Sequence, residues 1–312
     1  MTWTASPTLG VWSQLGRTVT RPALEYLLVS GSSEAAQLAG AQQSGIDPQV
    51  DAEVSDALVI GARWKMVHGF ETRAEAWGRW SHPGLVAAEL GTSGVLFPLD
   101  LRDVLAGGVE WTVEWKDGKV WQVGLTGSLA GTFGVVPDDS VSPVTAGLVF
   151  GEEGSNYRHP WSGEDVFPVE HNQMWRVRGE AKRLLVAGFW SKLAFEADAG
   201  LPFDLRGPDG KSMGPTKARE LLISRGWSPS TVDLLDLSEE EPGSPDRSTS
   251  PKILFDAGLG WDSPETRTGV FHLEAGCRNL LDTPYLTRFE TSIGGTHWGA
   301  PRTWFASSSW SL

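Results

Sequence analysis

Residues 109–125 read VEWTVEWKDGKVWQVGL, two alternating apolar–polar runs around an Asp-Gly pair. A two-residue turn at Asp117-Gly118 would place Glu114 across from Trp121 and divide the apolar residues between both faces. Strand side chains alternate with a period of two, so a one-residue slip moves all of them to the opposite face. A three-residue loop, Lys116-Asp117-Gly118, with Gly118 as a G1 bulge, removes the conflict. It predicts Val113 opposite Trp121, Trp111 opposite Val123 and Val109 opposite Leu125, with Trp115 beside Lys119 at the tip. Thr112, Glu114 and Gln122 then share the wet face. An antiparallel sheet with one face on a core has this pattern.

The same alternation recurs. In LVIGARWKMVHGF, Leu58, Ile60, Ala62, Trp64, Met66, His68 and Phe70 share one face, which predicts a single long strand with His68 as a core histidine. Trp175 and Val177 alternate with Arg176 and Arg178 in the basic segment Arg176 to Arg183, whose wet face local acids such as Glu180 neutralise. With 37 Gly, 19 Pro and 16 Trp, the chain favours short strands and many turns. The predicted class is mainly β, an antiparallel sandwich or barrel with a few short helices; α+β is the alternative.

Helix signals are local. Brief helices are expected near 33–43, in HPGLVAAEL and in PLDLRDVLAGG. Thr216 can cap a helix running to Arg225, and Ser228 can cap another with Pro229 at its first position. The second carries carboxylates and no basic residue, which excludes a DNA-reading pair. Residues 1–237 are read as a β-rich domain with a helical insert near 215–237. The acidic, Pro/Ser-rich stretch 238–251 is read as a mobile loop or linker, and 252–312 as strands completing the same domain.

The formal charge of −13 argues against nucleic acid as a main ligand and against an anionic membrane surface. A lone cysteine, Cys277, allows no internal disulfide. No signal peptide is visible and no apolar run approaches the ~20 residues of a spanning helix, so a cytoplasmic or virion location without membrane contact is expected. Phosphate-loop, dinucleotide and zinc-type motifs are missing, and no cofactor is assigned. The densest set of reactive groups is His159, Glu164, Asp165, Glu170 and His171, in a turn-rich segment. They are the catalytic candidates if the chain is an enzyme, with His68 as an adjunct. His159 and His171 are the weak metal candidates, but their spacing makes no convincing site. The reading favoured by this balance is a structural or binding protein associating with other protein subunits, possibly itself, for example in a bacteriophage tail. The alternatives are a hydrolase or cyclase with a Trp-lined pocket, or a carbohydrate-binding module.

Overall fold

The computed structural model describes residues 2–21, 52–89, 96–117, 120–135, 166–168, 173–203, 214–237, 247–265, 269–291 and 295–311. The chain opens with β1 (Thr2–Ser6), β2 (Leu9–Thr20), β3 (Glu53–Lys65) and β4 (Phe70–His82). Next come β5 (Gly84–Glu89), β6 (Leu96–Leu101), β7 (Asp103–Lys116), β8 (Trp121–Val135), β9 (Val166–Pro168), β10 (Trp175–Leu184), β11 (Phe189–Asp198) and β12 (Pro202–Phe203). Two helices follow, α1 (Pro215–Ser224) and α2 (Pro229–Val232), then β13 (Leu235–Asp236) and β14 (Arg247–Thr249). The last strands are β15 (Lys252–Asp262), β16 (Val270–Arg278), β17 (Leu286–Thr291), β18 (Gly295–Trp298) and β19 (Thr303–Ser311).

The fold is mainly β, as the alternation predicts. One antiparallel sheet runs β1-β2-β3-β4-β7-β8-β10-β11-β15-β16-β19, with β9 added beside β8. Its strands follow one another almost in chain order, joined by connections that alternate between the two ends of the sheet. Those connections are unequal. At one end they span only 7–8, 66–69, 117–120, 185–188 and 263–269; at the other they span 21–52, 83–102, 136–174, 199–251 and 279–302.

In the hairpin of 109–125 the expected faces are present and the expected pairing is not. Val113 pairs with Leu125, Trp115 with Val123 and Lys116 with Gln122. The cause is Asp117: its Oδ1 accepts the backbone N–H groups of Val120 (2.7 Å) and Trp121 (2.9 Å), closing a longer loop than a G1 bulge. Trp121 pairs with Arg183 on β10, whose guanidinium lies 5.4 Å from the indole centroid. Gly118 and Lys119 lie outside the described residues. Trp115 stacks on Phe70 instead, with centroids 5.8 Å apart.

The single strand expected over 58–70 is two strands. The chain reverses at Val67–Gly69, where His68 is left-handed (φ 61) beside Gly69 (φ 78). His68 is exposed at this tip, not a core residue. The same turn recurs at Val186–Gly188, with Ala187 at φ 57 and Gly188 at φ 81. A Cβ at Gly188 would overlap the carbonyl of Asp262. Gly188→Val should therefore cost upwards of about 1–3 kcal/mol from the left-handed backbone alone. Urea unfolding of the two proteins checks this; an unchanged midpoint would contradict the packing of this turn.

The brief helices expected in 82–90 and 98–108 are the β5–β6 hairpin and the start of β7. Gly107-Gly108 does not end a helix: it lies in the ladder, where a Cβ on Gly108 would press on Leu129 O at 2.5 Å. The helix expected at 33–43 lies outside the described residues. The Ser228 cap is present, its Oγ accepting Thr231 N–H at 3.2 Å, although α2 is one turn long. Gly214, not Thr216, caps α1, because Pro215 takes the first helical position.

These helices, β12–β14 and the β17–β18 hairpin form a small unit at the long-connection end. Its core is Ala218, Leu222, Val232, Leu235, Leu286 and Phe289. Of the stretch read as a mobile linker, 238–246 lie outside the described residues. Arg247–Thr249 instead form a strand between β12 and β13, with Thr249 buried.

Candidate functional site

The catalytic candidates His159, Glu164, Asp165, Glu170 and His171 lie outside the described residues, in the long connection between β8 and β10. Among the described residues no group of three or more His, Cys, Asp or Glu is placed to hold a metal. The feature with functional content is the large sheet, whose two faces differ sharply.

Registered partners share a face, so the ladders define each face directly. On one, Ile60 pairs with Ala76, Ala76 with Val109 and Val109 with Leu129. Farther along, Phe195 pairs with Phe255, and Leu193 with Ala257, which pairs with Cys277. The face is predominantly apolar from β2 to β19, with the Arg17–Asp56 pair in the Trp80 row at its border, and no described residue covers it. Ile60 is 50% exposed, Leu129 61%, Leu193 and Leu259 64%. Sheets in water bury such a face on a core; here the compact core lies in the small unit. An apolar surface of this extent needs a partner phase or a partner molecule.

Aromatic residues border it. At the short-turn end, Phe70 meets Trp115, Phe189 meets Trp261 (6.4 Å) and Phe271 meets Trp310 (6.0 Å). The indole N–H groups of Trp115 and Trp261 donate to the turn carbonyls of His68 (3.2 Å) and Ala187 (2.9 Å). At the other end Trp80 donates to Asp103 Oδ1 at 2.7 Å, and Trp304 is 74% exposed. Along β4, Phe70 and Trp80 are separated by about 33 Å of strand, or roughly 23 Å of height at a 45° tilt. That matches the ~25 Å apolar band between aromatic girdles on membrane barrels.

The opposite face is polar and ion-paired. Arg73 and the Trp12 indole both reach Glu75 Oε1, at 2.8 and 3.0 Å. Arg176 meets Glu196 at 2.8 Å, and Lys252 bridges Glu196 (3.3 Å) and Asp198 (3.1 Å). Of the basic stripe, Arg176 pairs with Glu196 and Lys182 comes within 3.8 Å of Asp262, while Glu180, the acid expected to neutralise it, pairs with Lys192 at 3.4 Å. Near the short turns, Asp262 accepts Trp190 Nε1 at 3.2 Å and contacts His272 Nδ1 at 2.9 Å. His272 Nε2 contacts Ser311 Oγ at 3.0 Å, so the trio links β15, β16 and β19. In the connection 279–302, Asp282 Oδ1 accepts the Arg302 backbone N–H at 2.8 Å, which holds its carboxyl below the usual range.

No family model matches this sequence, and no curated protein matches it. Solved structures do match in fold. The FrpB iron transporter from Neisseria meningitidis superposes with a TM-score of 0.59 at 9% identity, over 98% of this chain and 37% of that one. The copper transporter OprC gives 0.57 at 10%, over 98% and 38%. The ferric yersiniabactin uptake receptor FyuA from Yersinia pestis gives 0.54 at 13%, over 98% and 35%. The chain therefore spans little more than a third of the length of these structures, and at such identities the likeness is one of fold.

The likeness corrects several expectations. A virion or tail component, a cytoplasmic or virion location and the exclusion of membrane contact do not stand. Alternation alone does not separate a strand packed on a protein core from a lipid-facing one, since both have the same period. Net charge does not separate them either. It governs attraction to anionic headgroups, not the fit of an apolar face to acyl chains. No described helix is long and apolar enough to cross a membrane, which leaves strands unconstrained. The missed signals were the repeated Val-x-Gly-Phe at 67–70 and 186–189 and the tryptophans near strand ends.

Proposed function

We propose that this chain forms part of the wall of a membrane-spanning β-barrel that passes solutes. Its apolar face lies against acyl chains and its ion-paired face lines a wet interior. The observation that carries this reading is the uncovered apolar face, bordered by aromatics at both ends. Ion pairs on the other face suit a hydrated lumen, and short turns opposite long connections are the usual asymmetry of such barrels. The sheet path ends at β1 and β19, whose outer edges have no partner strand among the described residues. Bare edges are not tolerated in hydrocarbon, so in a vesicle the sheet closes against further strands, such as those of a second copy of the chain. Eleven strands along the path are half of the 22 found in plugged outer-membrane transporters. By analogy with the fold neighbours named as iron and copper transporters, the solute is a metal ion or metal complex.

Tryptophan quenching tests the location. With the full chain refolded into phospholipid vesicles, lipids brominated on the acyl chain should quench most of the emission, and aqueous iodide little of it. Strong iodide quenching with none by brominated lipid would refute the membrane reading.

A further inference from the structure

We infer that the polar face carries a binding site for a small oxyanion, a carboxylate, sulfate or phosphate group, centred on Arg79. Arg79 pairs in the ladder with Ala57 on one side and Ala106 on the other, and the row continues to Gly16 and Thr132. These small neighbours leave the guanidinium standing in an open basin of about 390 Å³. Among the described residues Arg79 has neither a hydrogen bond nor an ion pair, although most other cations of this face are engaged. Of the acids on the same face, Glu53 accepts the hydroxyls of Ser55 (2.7 Å) and Ser81 (3.0 Å), Glu75 takes Arg73 and Trp12, and Glu110 stands in the Glu75 row, four positions along the strand from Ala106.

A second observation points to the same place. Trp77 lines the basin, and its indole N–H is the one buried side-chain polar atom among the described residues without a partner. An orphaned buried donor signals a missing acceptor. Trp77 and Arg79 are two positions apart on β4 and share a face, with Cα atoms about 6.8 Å apart. Both side chains line the basin, so the indole donor, enclosed in the free protein, would turn toward an oxyanion gripped by the guanidinium fork. Guanidinium binds such groups through paired, charge-assisted bonds, which selects oxyanions over chloride. The site does not depend on what covers the apolar face, so it stands or falls apart from the membrane reading.

Calorimetric titration of the full chain with sodium sulfate and sodium phosphate, at ionic strength fixed with sodium chloride, tests it. Saturable binding is expected in the wild type, weakened at least tenfold in Arg79→Gln, less in Arg79→Lys, and several-fold in Trp77→Phe. Trp77→Phe removes the orphaned donor, so without the anion it should melt no lower than the wild type, which separates lost binding from lost folding. Absence of saturable binding in the wild type, or equal affinity in all four proteins, would overturn the inference. Unchanged affinity in Trp77→Phe alone would remove the indole from the site.

Discussion

Arginine in place of Ile60 should destabilise the inserted sheet by about 2–4 kcal/mol, the cost of a cation at the midplane of a barrel's lipid face. Ile60 is half exposed and lies in the row Ala76, Val109, Leu129, well inside the two aromatic borders. In water the same substitution on an exposed strand position would cost within about 0.5 kcal/mol, so the size of the effect reports the medium. Two controls fix the interpretation. Val19→Arg lies beyond the Trp80 row, at the long-connection end of the same face, and should cost about 0–1 kcal/mol. Ser307→Arg projects to the polar face opposite Glu274 and should be tolerated. Urea unfolding in vesicles measures all three. Equal costs for Ile60→Arg and Ser307→Arg would mean that no apolar phase touches the first face.

Which side chains share a face was legible in the sequence, because a strand has only one period. Val109, Trp111, Val113 and Trp115 lie with Val123 and Leu125 as the pattern requires. The pairing was not legible, because it depends on where one carboxylate caps the loop. Asp117 reaches Val120 and Trp121, and that shifts the register while preserving the faces. The end of β3 was hidden for a related reason. His68 adopts a left-handed conformation unusual for a non-glycine residue, so alternation seemed to run through the turn to Phe70. PLDLRDVLAGG misled because Leu101 and Leu105 fit a helical spacing as well as an alternating one. The medium facing the apolar side lies beyond any single strand. It emerges only when the eleven strands of the path assemble and no described residue covers their apolar face. The candidate residues of 159–171 were chosen for chemical type alone, whereas Arg79 and Trp77 stand out only through what surrounds them.

Alanine in place of Phe289 should melt the small helical unit while the large sheet stays intact. Phe289 is 1% exposed and packs its ring 5.1 Å from that of Trp227. Its other core neighbours are short aliphatics from α1, α2, β13 and β17. Truncating a buried Phe typically costs about 3–5 kcal/mol, because the surroundings only partly close the cavity. A core of six buried residues has little else to hold it together. The unit joins two separate connections, 199–251 and 279–302, so losing its centre frees both at once. The sheet has independent support: Asn279 anchors the second connection, its backbone N–H on Asp256 Oδ1 at 2.9 Å and its amide on Thr283 O and Ala300 O. Those bonds lie next to β16 and survive loss of the core. Hydrogen exchange should therefore show protection lost across α1, α2 and β17 but kept in β15, β16 and β19, since local units open below the global free energy. Simultaneous loss of protection in both regions would show that the helical unit and the wall fold as one.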